Sequence, residues 1–178
     1  MKLHLGCGPK FFKGWKHYDA LKFPHVDIVG PVDNLQLEDC SAEIIYASHV
    51  LEHFSRHKCV DVLKEWYRVL KPEGILRLAV PNFEAACEIY SQSKSVDKIE
   101  IIKGLICGGQ KDEYDYHGNI FDYQSLESVL KSVGFKSVRS WNWRETEHSH
   151  IDDCSQAYLP HMDKNSGKLM SLNVEGLK

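Results

Sequence analysis

The sequence lacks an excess of basic residues and a long apolar segment. Its 22 Lys and Arg residues are outnumbered by 25 Asp and Glu residues, which gives a formal net charge of -3. A chain with no basic surface is not expected to neutralise nucleic-acid phosphates, so no nucleic-acid partner is predicted. No apolar run reaches the length that a bilayer requires, and the sequence predicts neither membrane insertion nor a signal peptide.

Paired cysteine motifs are absent as well. The six cysteines are widely spaced, without a C-x-x-C pair, at Cys7, Cys40, Cys59, Cys87, Cys107 and Cys154. Such spacing is typical of free thiols in a reducing compartment, and the cytoplasm is the expected location. A length of 178 residues with 43% hydrophobic residues predicts a single globular domain, residues 1–178. Composition carries no information on the oligomeric state.

Two common phosphate-binding patterns are missing, although a shorter glycine turn is present. Gly6-Cys7-Gly8 follows a strand predicted over residues 2–5, but the third glycine of G-x-G-x-x-G is replaced by Phe11. The chain also has no G-x-x-x-x-G-K-[ST] loop. Binding of nicotinamide cofactors or nucleoside triphosphates is therefore disfavoured. A glycine turn after a strand still allows close approach of another ligand to the backbone.

Asp19 is the first acidic residue that could serve such a ligand. It ends the second predicted strand and lies 11 positions after Gly8. A carboxylate there could accept two hydrogen bonds from ribose hydroxyls of a ligand lying across the turn. A single Asp at such a point is also common as an ordinary turn residue. Its combination with the glycine turn favours the ligand-binding interpretation.

Hydrophobic periodicity predicts an alternating α/β chain. Strands are predicted at 2–5, 17–20, 25–30, 42–48, 75–80, 135–143 and 169–176, and helices at 55–70, 83–93 and around 126–133. This order favours an open, doubly wound, mostly parallel sheet. The first helix must be vestigial, because only about eight residues connect the glycine turn to the second strand. Residues 94–122 and 144–167 are too long for simple connections and are expected to form excursions over the rim of the sheet.

Four ordered blocks resemble class I S-adenosylmethionine-dependent methyltransferases, especially the small bacterial ones of the type-11 group. The blocks are LHLGCGPKFFKGWKHYDA, LEDCSAEIIYASHVLEHF, LKEWYRVLKPEGILRLAVPNFE and FDYQSLESVLKSVGF. The resemblance implies a Rossmann-like seven-stranded sheet of order 3-2-1-4-5-7-6 with strand 7 antiparallel. It also implies an enzyme that transfers a methyl group from S-adenosylmethionine to an oxygen or nitrogen of a small-molecule acceptor, with S-adenosylhomocysteine as product.

The resemblance further implies which residues bind the cofactor. The methionine part would lie along Leu5, Gly6, Cys7 and Gly8, and Asp19 would hold the ribose. Pro31, Val32 and Asp33 would approach the adenine, and Ala47, Ser48 and His49 would lie beside the sulfonium end. The chain departs from the family pattern at four positions. His4 replaces an acidic or amide residue and Lys10 a third small residue of the glycine loop. Pro31 stands where the adenine-side acidic residue is often found, with Asp33 two positions further on, and Asn82 replaces a common Asp.

The acceptor side is expected to involve histidines, because the Asn82 amide cannot take a proton at neutral pH. His49 follows the fourth strand at the carboxyl edge of the sheet and is the first candidate for orienting or deprotonating the acceptor. His117, in the first excursion, is the second. Either could instead be a structural histidine. The excursions 94–122 and 144–167 are expected to form the acceptor side of the site.

A metal-binding alternative arises from His49-x-x-Glu52-His53. This spacing is that of an inverted zincin motif, which needs a helix, whereas here the motif follows a strand, so a metal-dependent hydrolase is disfavoured. Some O-methyltransferases of this class bind a divalent ion through E-x-x-E-H at this place; with His49 as the first residue, the set would suit zinc better than magnesium. We nevertheless predict no metal. A third alternative is a protein that binds S-adenosyl ligands without catalysis.

Overall fold

The computed structural model describes residues 1–178 and contains nine strands and four α-helices. The strands are β1 (Lys2–Leu5), β2 (Lys16–Asp19), β3 (Ile28–Val29), β4 (Ala42–Ser48), β5 (Leu70–Pro81), β6 (Ser137–Ser140), β7 (Tyr158–Leu159), β8 (Lys168–Leu169) and β9 (Ser171–Leu177). The helices are α1 (Cys59–Val69), α2 (Phe83–Gln92), α3 (Lys98–Cys107) and α4 (Tyr123–Val133). None of these helices exceeds 11 residues, so none has the apolar length that crosses a bilayer.

Seven strands form one sheet in the order β3-β2-β1-β4-β5-β9-β6. All neighbouring pairs from β3 to β5 are parallel, whereas β9 is antiparallel to both β5 and β6. The predicted fold class is confirmed, with β9 as the seventh strand of the predicted order. The strands β7 and β8 form a separate antiparallel pair.

Several predicted boundaries differ from the structure, three of them clearly. The helix predicted from Ser55 begins only at Cys59, because residues 51–53 form a separate short 3-10 helix, residues 56–58 form a turn, and no side-chain hydrogen bond of Ser55 caps the helix. Strand β5 starts at Leu70, five residues earlier than predicted, because Leu70 pairs with Ala42 across a register shift. The prediction of a strand over 135–143 was too long, since β6 covers four residues.

One face of the sheet packs against α1 and α4 and forms the main core. Successive side chains of a strand point to opposite faces, and Leu3, Leu5 and Ile45 lie on this side, fully buried. The helices contribute Trp66 of α1 and Leu126 of α4, also without exposed surface. Burial of large apolar side chains stabilises each by roughly 1.5–3 kcal/mol, so this layer holds the sheet on its α1 side.

The opposite face of β1 and β4 is covered without a helix. Residues 9–15 form turns only, and Phe12 packs there between the rings of His4 and His148, with ring-centroid distances of 4.2 and 4.4 Å. The Tyr46 hydroxyl donates to the Asp153 carboxylate at 2.6 Å. The first half of the 144–167 excursion therefore lies on the sheet face and not over the rim as predicted, because the short 9–15 connection leaves this face open.

The other excursion does cross the carboxyl edge of the sheet. Helix α3 packs against α2, and residues 108–122 then return past the segment that follows β4. The backbone amides of Gly118 and Asn119 both donate to the carbonyl of Glu52, at 2.8 and 3.1 Å. These bonds fix the return loop beside the end of β4, where ligands bind in open α/β sheets.

His148 generates a prediction about stability. It is 3% exposed, neither ring nitrogen has a hydrogen-bond partner, and burial lowers its pKa to about 4. Because this folded-state pKa lies below the unfolded value of about 6.5, the unfolded chain binds the extra proton and stability is lost as the pH falls from about 6.5 towards 4. His148→Phe keeps the ring stack and removes the unpaired nitrogens, so we expect a gain of roughly 1–3 kcal/mol at pH 7.

The measurement is urea unfolding at pH 7, 5.5 and 4.5. The variant should lose less stability than the wild type between pH 6.5 and 4.5. His150→Phe, at an exposed position two residues away, is the matched control. It should change neither the free energy of unfolding at pH 7 nor the loss of stability at acid pH. Equal acid sensitivity of His148→Phe and the wild type would contradict the assignment.

Candidate functional site

A cavity of about 210 Å³ lies at the carboxyl ends of β1, β2 and β4. Its wall is formed by the glycine turn, by residues 19–23 after β2, and by residues 49–54 after β4, with Val32 and Tyr114 completing it. An adjoining cavity of about 320 Å³ shares Val32, His53 and Tyr114 with the first and extends it past Asp33. The two form one crevice of the size that small-molecule sites usually have.

The glycine turn is shaped by left-handed backbone conformations. Gly6 has a φ of +57° and Gly8 a φ of +51°. A Cβ atom on Gly6 would lie 2.4 Å from Cγ2 of Val50, whereas a Cβ on Gly8 would meet no atom within 4 Å. Gly6 is therefore required for packing against the segment after β4. Gly8 instead leaves its backbone accessible on the cavity wall, as a closely bound ligand needs.

Asp19 joins the glycine turn to the end of β2. One carboxylate oxygen accepts the backbone N–H of Gly8 at 2.7 Å, and the other accepts that of Leu21 at 2.8 Å. Each oxygen keeps a further lone pair, and the side chain lies on the cavity wall with 7% of its surface exposed. The carboxylate can thus accept hydroxyl hydrogen bonds from a ligand while it holds both loops in place.

The segment after β3 is held in position by side chains of α1. The indole N–H of Trp66 donates to the Val32 carbonyl at 2.7 Å, and the carboxylate of Glu65 accepts the N–H of Leu35 at 2.7 Å. Arg68 donates to the Leu35 carbonyl and to Glu65, and this guanidinium lowers the pKa of the Glu65 carboxyl. Val32 therefore reaches the crevice without a helix between β3 and β4.

Four predicted cofactor residues have no side chain on the cavity wall. Leu5 and Ala47 are buried in the main core, and the Cys7 thiol lies 3.8 Å from Nε2 of His25. Burial, followed by the nearby Asp19 carboxylate, raises the pKa of Cys7 to about 12. The Ser48 hydroxyl is buried without a partner. A role for these four in binding the cofactor stays a prediction, and it concerns backbone atoms.

Asn82 and His4, two of the departures from the family pattern, serve local structure. The Asn82 side-chain oxygen accepts the N–H of Ala85 and caps α2. The His4 ring stacks on Phe12. Neither side chain lines the cavity.

Several wall residues were not predicted from the sequence. They are Ala20, Leu21, Phe23, Val50, Phe54 and Tyr114. Leu21 and Phe23 directly follow the predicted Asp19, and this proximity was the available signal for them. Tyr114 lies in the 94–122 excursion, which the sequence assigned to the acceptor side only as a whole segment.

His49 lies on the cavity wall in a left-handed conformation, with a φ of +53°. Its Nε2 is 3.4 Å from Oγ of Ser171, which itself donates to Oδ1 of Asn173. The Asn173 amide donates to the Ser155 carbonyl, which fixes that orientation. Ser171 has only one hydrogen to donate, so His49 Nε2 carries a proton and Nδ1 carries the lone pair.

The lone pair of His49 faces a buried carboxyl group. Nδ1 lies 3.2 Å from Oε1 of Glu52, although neither oxygen of Glu52 has a hydrogen-bond partner. Burial lowers the pKa of His49 to about 3, with smaller effects of His117 and His53, and burial raises the pKa of Glu52 to about 8. Both groups are therefore neutral at pH 7 when no cation is nearby.

His117 does not line the cavity but packs against His53, with ring centroids 5.0 Å apart. Nδ1 of His53 donates to the Tyr116 carbonyl and Nδ1 of His117 donates to the Leu105 carbonyl, both at 3.0 Å. One ligand atom from each of Glu52, His53 and His117 lies within 4.8 Å of the others. In the His/Glu/His set that the sequence suggested, His117 thus takes the place of His49.

Comparison with known proteins agrees with this architecture. Residues 10–78 match the sequence family described as a methyltransferase domain. No curated protein sequence matches the chain significantly. Solved structures cover 99% of the chain. An S-adenosylmethionine-dependent methyltransferase from Thermotoga maritima is 15% identical, with a TM-score of 0.61 over 81% of its length. One from Archaeoglobus fulgidus is 14% identical, with a TM-score of 0.60 over 85% of its length.

A third similar structure contains ligands. The 1,6-didemethyltoxoflavin-N1-methyltransferase of Burkholderia thailandensis, with bound 1,6-didemethyltoxoflavin and S-adenosylhomocysteine, is 14% identical, with a TM-score of 0.60 over 70% of its length. Identities at this level demonstrate the fold, and the family match adds the methyltransferase domain. The family match extends over residues 10–78 and the solved structures add the fold; both agree with the predictions of a class I S-adenosylmethionine-dependent methyltransferase, of an enzyme, and of S-adenosylmethionine as its cofactor.

The two glycines of the turn give a stability prediction. Gly6→Ala introduces both left-handed strain and a collision with Val50, and we expect a loss of roughly 2–5 kcal/mol. Gly8→Ala introduces only the strain, with an expected loss of about 1–2 kcal/mol. Urea unfolding of both variants tests the difference.

A double-mutant cycle isolates the collision. Adding Val50→Ala should recover part of the stability lost by Gly6→Ala, beyond what additivity with Val50→Ala alone predicts. Equal losses of stability for the two glycine variants, or strict additivity in the cycle, would show that the contact with Val50 is not the reason why position 6 needs a glycine.

Proposed function

We propose that this protein transfers the methyl group of S-adenosylmethionine to an oxygen or nitrogen of a small-molecule acceptor bound in the crevice. The observation that carries the proposal is the position of the Asp19 carboxylate, which closes the glycine turn through Gly8 and lies on the cavity wall. A net charge of -3 agrees with a small acceptor better than with a nucleic acid.

The residues of the crevice fit the cofactor. The backbone of Gly8 lies on the cavity wall with open space beside its Cα atom, and Asp19 has lone pairs for the two ribose hydroxyls. Val32 and Asp33 line the adjoining cavity, which would hold the adenine. When bound, S-adenosylmethionine supplies an electrophilic methyl group on a sulfonium centre. The protein's contribution is then to hold the acceptor atom in line with that methyl group and to exclude water, which can account for much of a rate enhancement.

The acceptor would lie toward the end of β4, between His49, His53 and Tyr114. These residues line the cavity, and Tyr114 brings in the 94–122 excursion. A His49 imidazole with a pKa near 3 is a weak base at neutral pH, so we assign it to orienting the acceptor and not to removing its proton. A small heteroaromatic acceptor in a structure of similar fold supports the size of the proposed substrate.

Calorimetric titration with S-adenosylhomocysteine tests the cofactor site. We expect micromolar binding by the wild type and a loss of at least about tenfold for Asp19→Ala, equivalent to roughly 1.4 kcal/mol, because hydrogen bonds to a charged group contribute about 1.5–3 kcal/mol. Asp61→Ala, at an exposed position of α1, is the control and should bind as the wild type does. If the wild type shows no binding, the proposed function is wrong.

Turnover is tested by incubating the protein with S-adenosylmethionine and a panel of phenols, hydroxy acids, amines and heteroaromatic compounds. Production of S-adenosylhomocysteine that depends on one acceptor class supports methyl transfer. Tight binding with no turnover for any class would favour the non-catalytic alternative.

A further inference from the structure

We propose that Glu52, His53 and His117 bind a divalent transition-metal ion of the zinc type beside the crevice. Two imidazoles and one carboxylate are the ligand set of several zinc enzymes, in which a fourth position stays open. Borderline ions such as Zn²⁺ suit this mixed nitrogen and oxygen set better than Mg²⁺. The ligands come from two segments, the end of β4 and the return loop after α3.

The distances permit coordination with small side-chain movements. The three ligand atoms already lie within 4.8 Å of one another. Tetrahedral zinc with bonds of about 2.0–2.1 Å places its ligands roughly 3.3 Å apart. To reach this spacing, the three ligand atoms must move towards one another by roughly 1 Å, which side-chain rotations can supply.

Both histidines carry their lone pairs on the nitrogens left free for coordination. A carbonyl oxygen can only accept, so the bonds to Tyr116 and Leu105 place the proton of each imidazole on Nδ1. The Nε2 atoms of His53 and His117 are therefore unprotonated. An Nδ1–H bond to a backbone carbonyl is the arrangement that orients zinc-binding histidines in proteins.

Glu52 supplies an independent indication. Its side chain has no exposed surface, and both carboxylate oxygens lack a hydrogen-bond partner. Burying such a group alone is costly, so it needs either a proton or a cation. His49 faces it from the other side, and its Nδ1 lone pair, 3.2 Å from Oε1, can accept a hydrogen from a protonated Glu52 but cannot neutralise a carboxylate. A cation held by His53 and His117 would compensate the charge.

The backbone already holds the two ligand segments together. The Glu52 carbonyl accepts the amides of Gly118 and Asn119, the residues directly after His117. A Cβ on Gly118 would lie 3.1 Å from the backbone of Phe54 and Ser55, so the loop packs closely on this segment. His117 is therefore fixed relative to Glu52 and His53 before any ion binds, as preorganised sites require.

The ion would also select the acceptor, an inference that rests on the proposed function. His53 lies on the cavity wall, so the open coordination position is next to the crevice. An oxygen ligand of the acceptor, from a phenol or a hydroxy acid, can bind there, and a divalent ion lowers the pKa of a bound hydroxyl. We therefore expect acceptors that coordinate through a single hydroxyl or phenol oxygen, which is the atom methylated.

The 178-residue chain, first dialysed against a chelator, is titrated with Zn²⁺ by calorimetry and with Co²⁺ by visible absorption. We expect one ion per chain with micromolar or tighter affinity. His117→Asn and Glu52→Gln should weaken binding at least tenfold and abolish the cobalt absorption bands of the wild type, with folding checked by circular dichroism. His57→Asn, at an exposed histidine of the same region, should bind as the wild type does.

The proposal fails if the wild type does not bind one ion, or if His117→Asn binds it as tightly as His57→Asn does. His117→Asn, at a half-buried position, keeps this test valid should Glu52→Gln not fold. Titration of the chelator-treated protein with S-adenosylhomocysteine separates the proposed metal site from the proposed function. Nucleotide binding without zinc binding overturns the metal site alone, and zinc binding without nucleotide binding overturns the proposed function alone.

Discussion

The short connection between the glycine turn and β2 is the constraint on which the rest of this structure depends. Parallel neighbours such as β1 and β2 normally need a helical crossover that also covers the sheet, and residues 9–15 contain no helix. The turn must therefore be closed locally, and the Asp19 carboxylate does so by accepting the N–H groups of Gly8 and Leu21. The same carboxylate thus fixes the fold at this edge and faces the crevice.

The missing helix has a second consequence on the far side of the sheet. Aromatic side chains and histidines fill the layer, and the chain that follows β6 covers them, with Tyr46 bonded to Asp153. A second connecting helix is missing between β3 and β4, where the indole N–H of Trp66 donates to the Val32 carbonyl. In both places a side chain of a neighbouring strand or helix, Tyr46 of β4 or Trp66 of α1, holds in position a segment of the chain that a connecting helix would otherwise hold.

The sequence predicts this fold well where periodicity is strong and local. The continuous apolar run of 42–48 is β4 with the same bounds, and Asp19 is found on the cavity wall. The start of α1 was predicted wrongly because serine is a common helix-capping residue, whereas Ser55 begins a turn and does not cap this helix. The contact of His53 with His117 spans 64 positions and depends on a loop without periodicity, so no local pattern indicates it. Tyr114 was missed as a wall residue for the same reason.

The side chains of His148 and Glu52 are both buried without hydrogen bonds, but their surroundings differ. The surroundings indicate whether such a group serves packing or ligand binding. His148 lies between aromatic rings, where a neutral ring is well packed and no cation or ligand can reach its nitrogens. Glu52 has the same deficiency, but it faces imidazole nitrogens beside a cavity. In the first case an apolar ring would serve the packing as well. In the second, replacing the carboxyl by an apolar group would remove the only anionic member of the proposed ligand set, so the buried Glu52 fits a binding role better than a packing role.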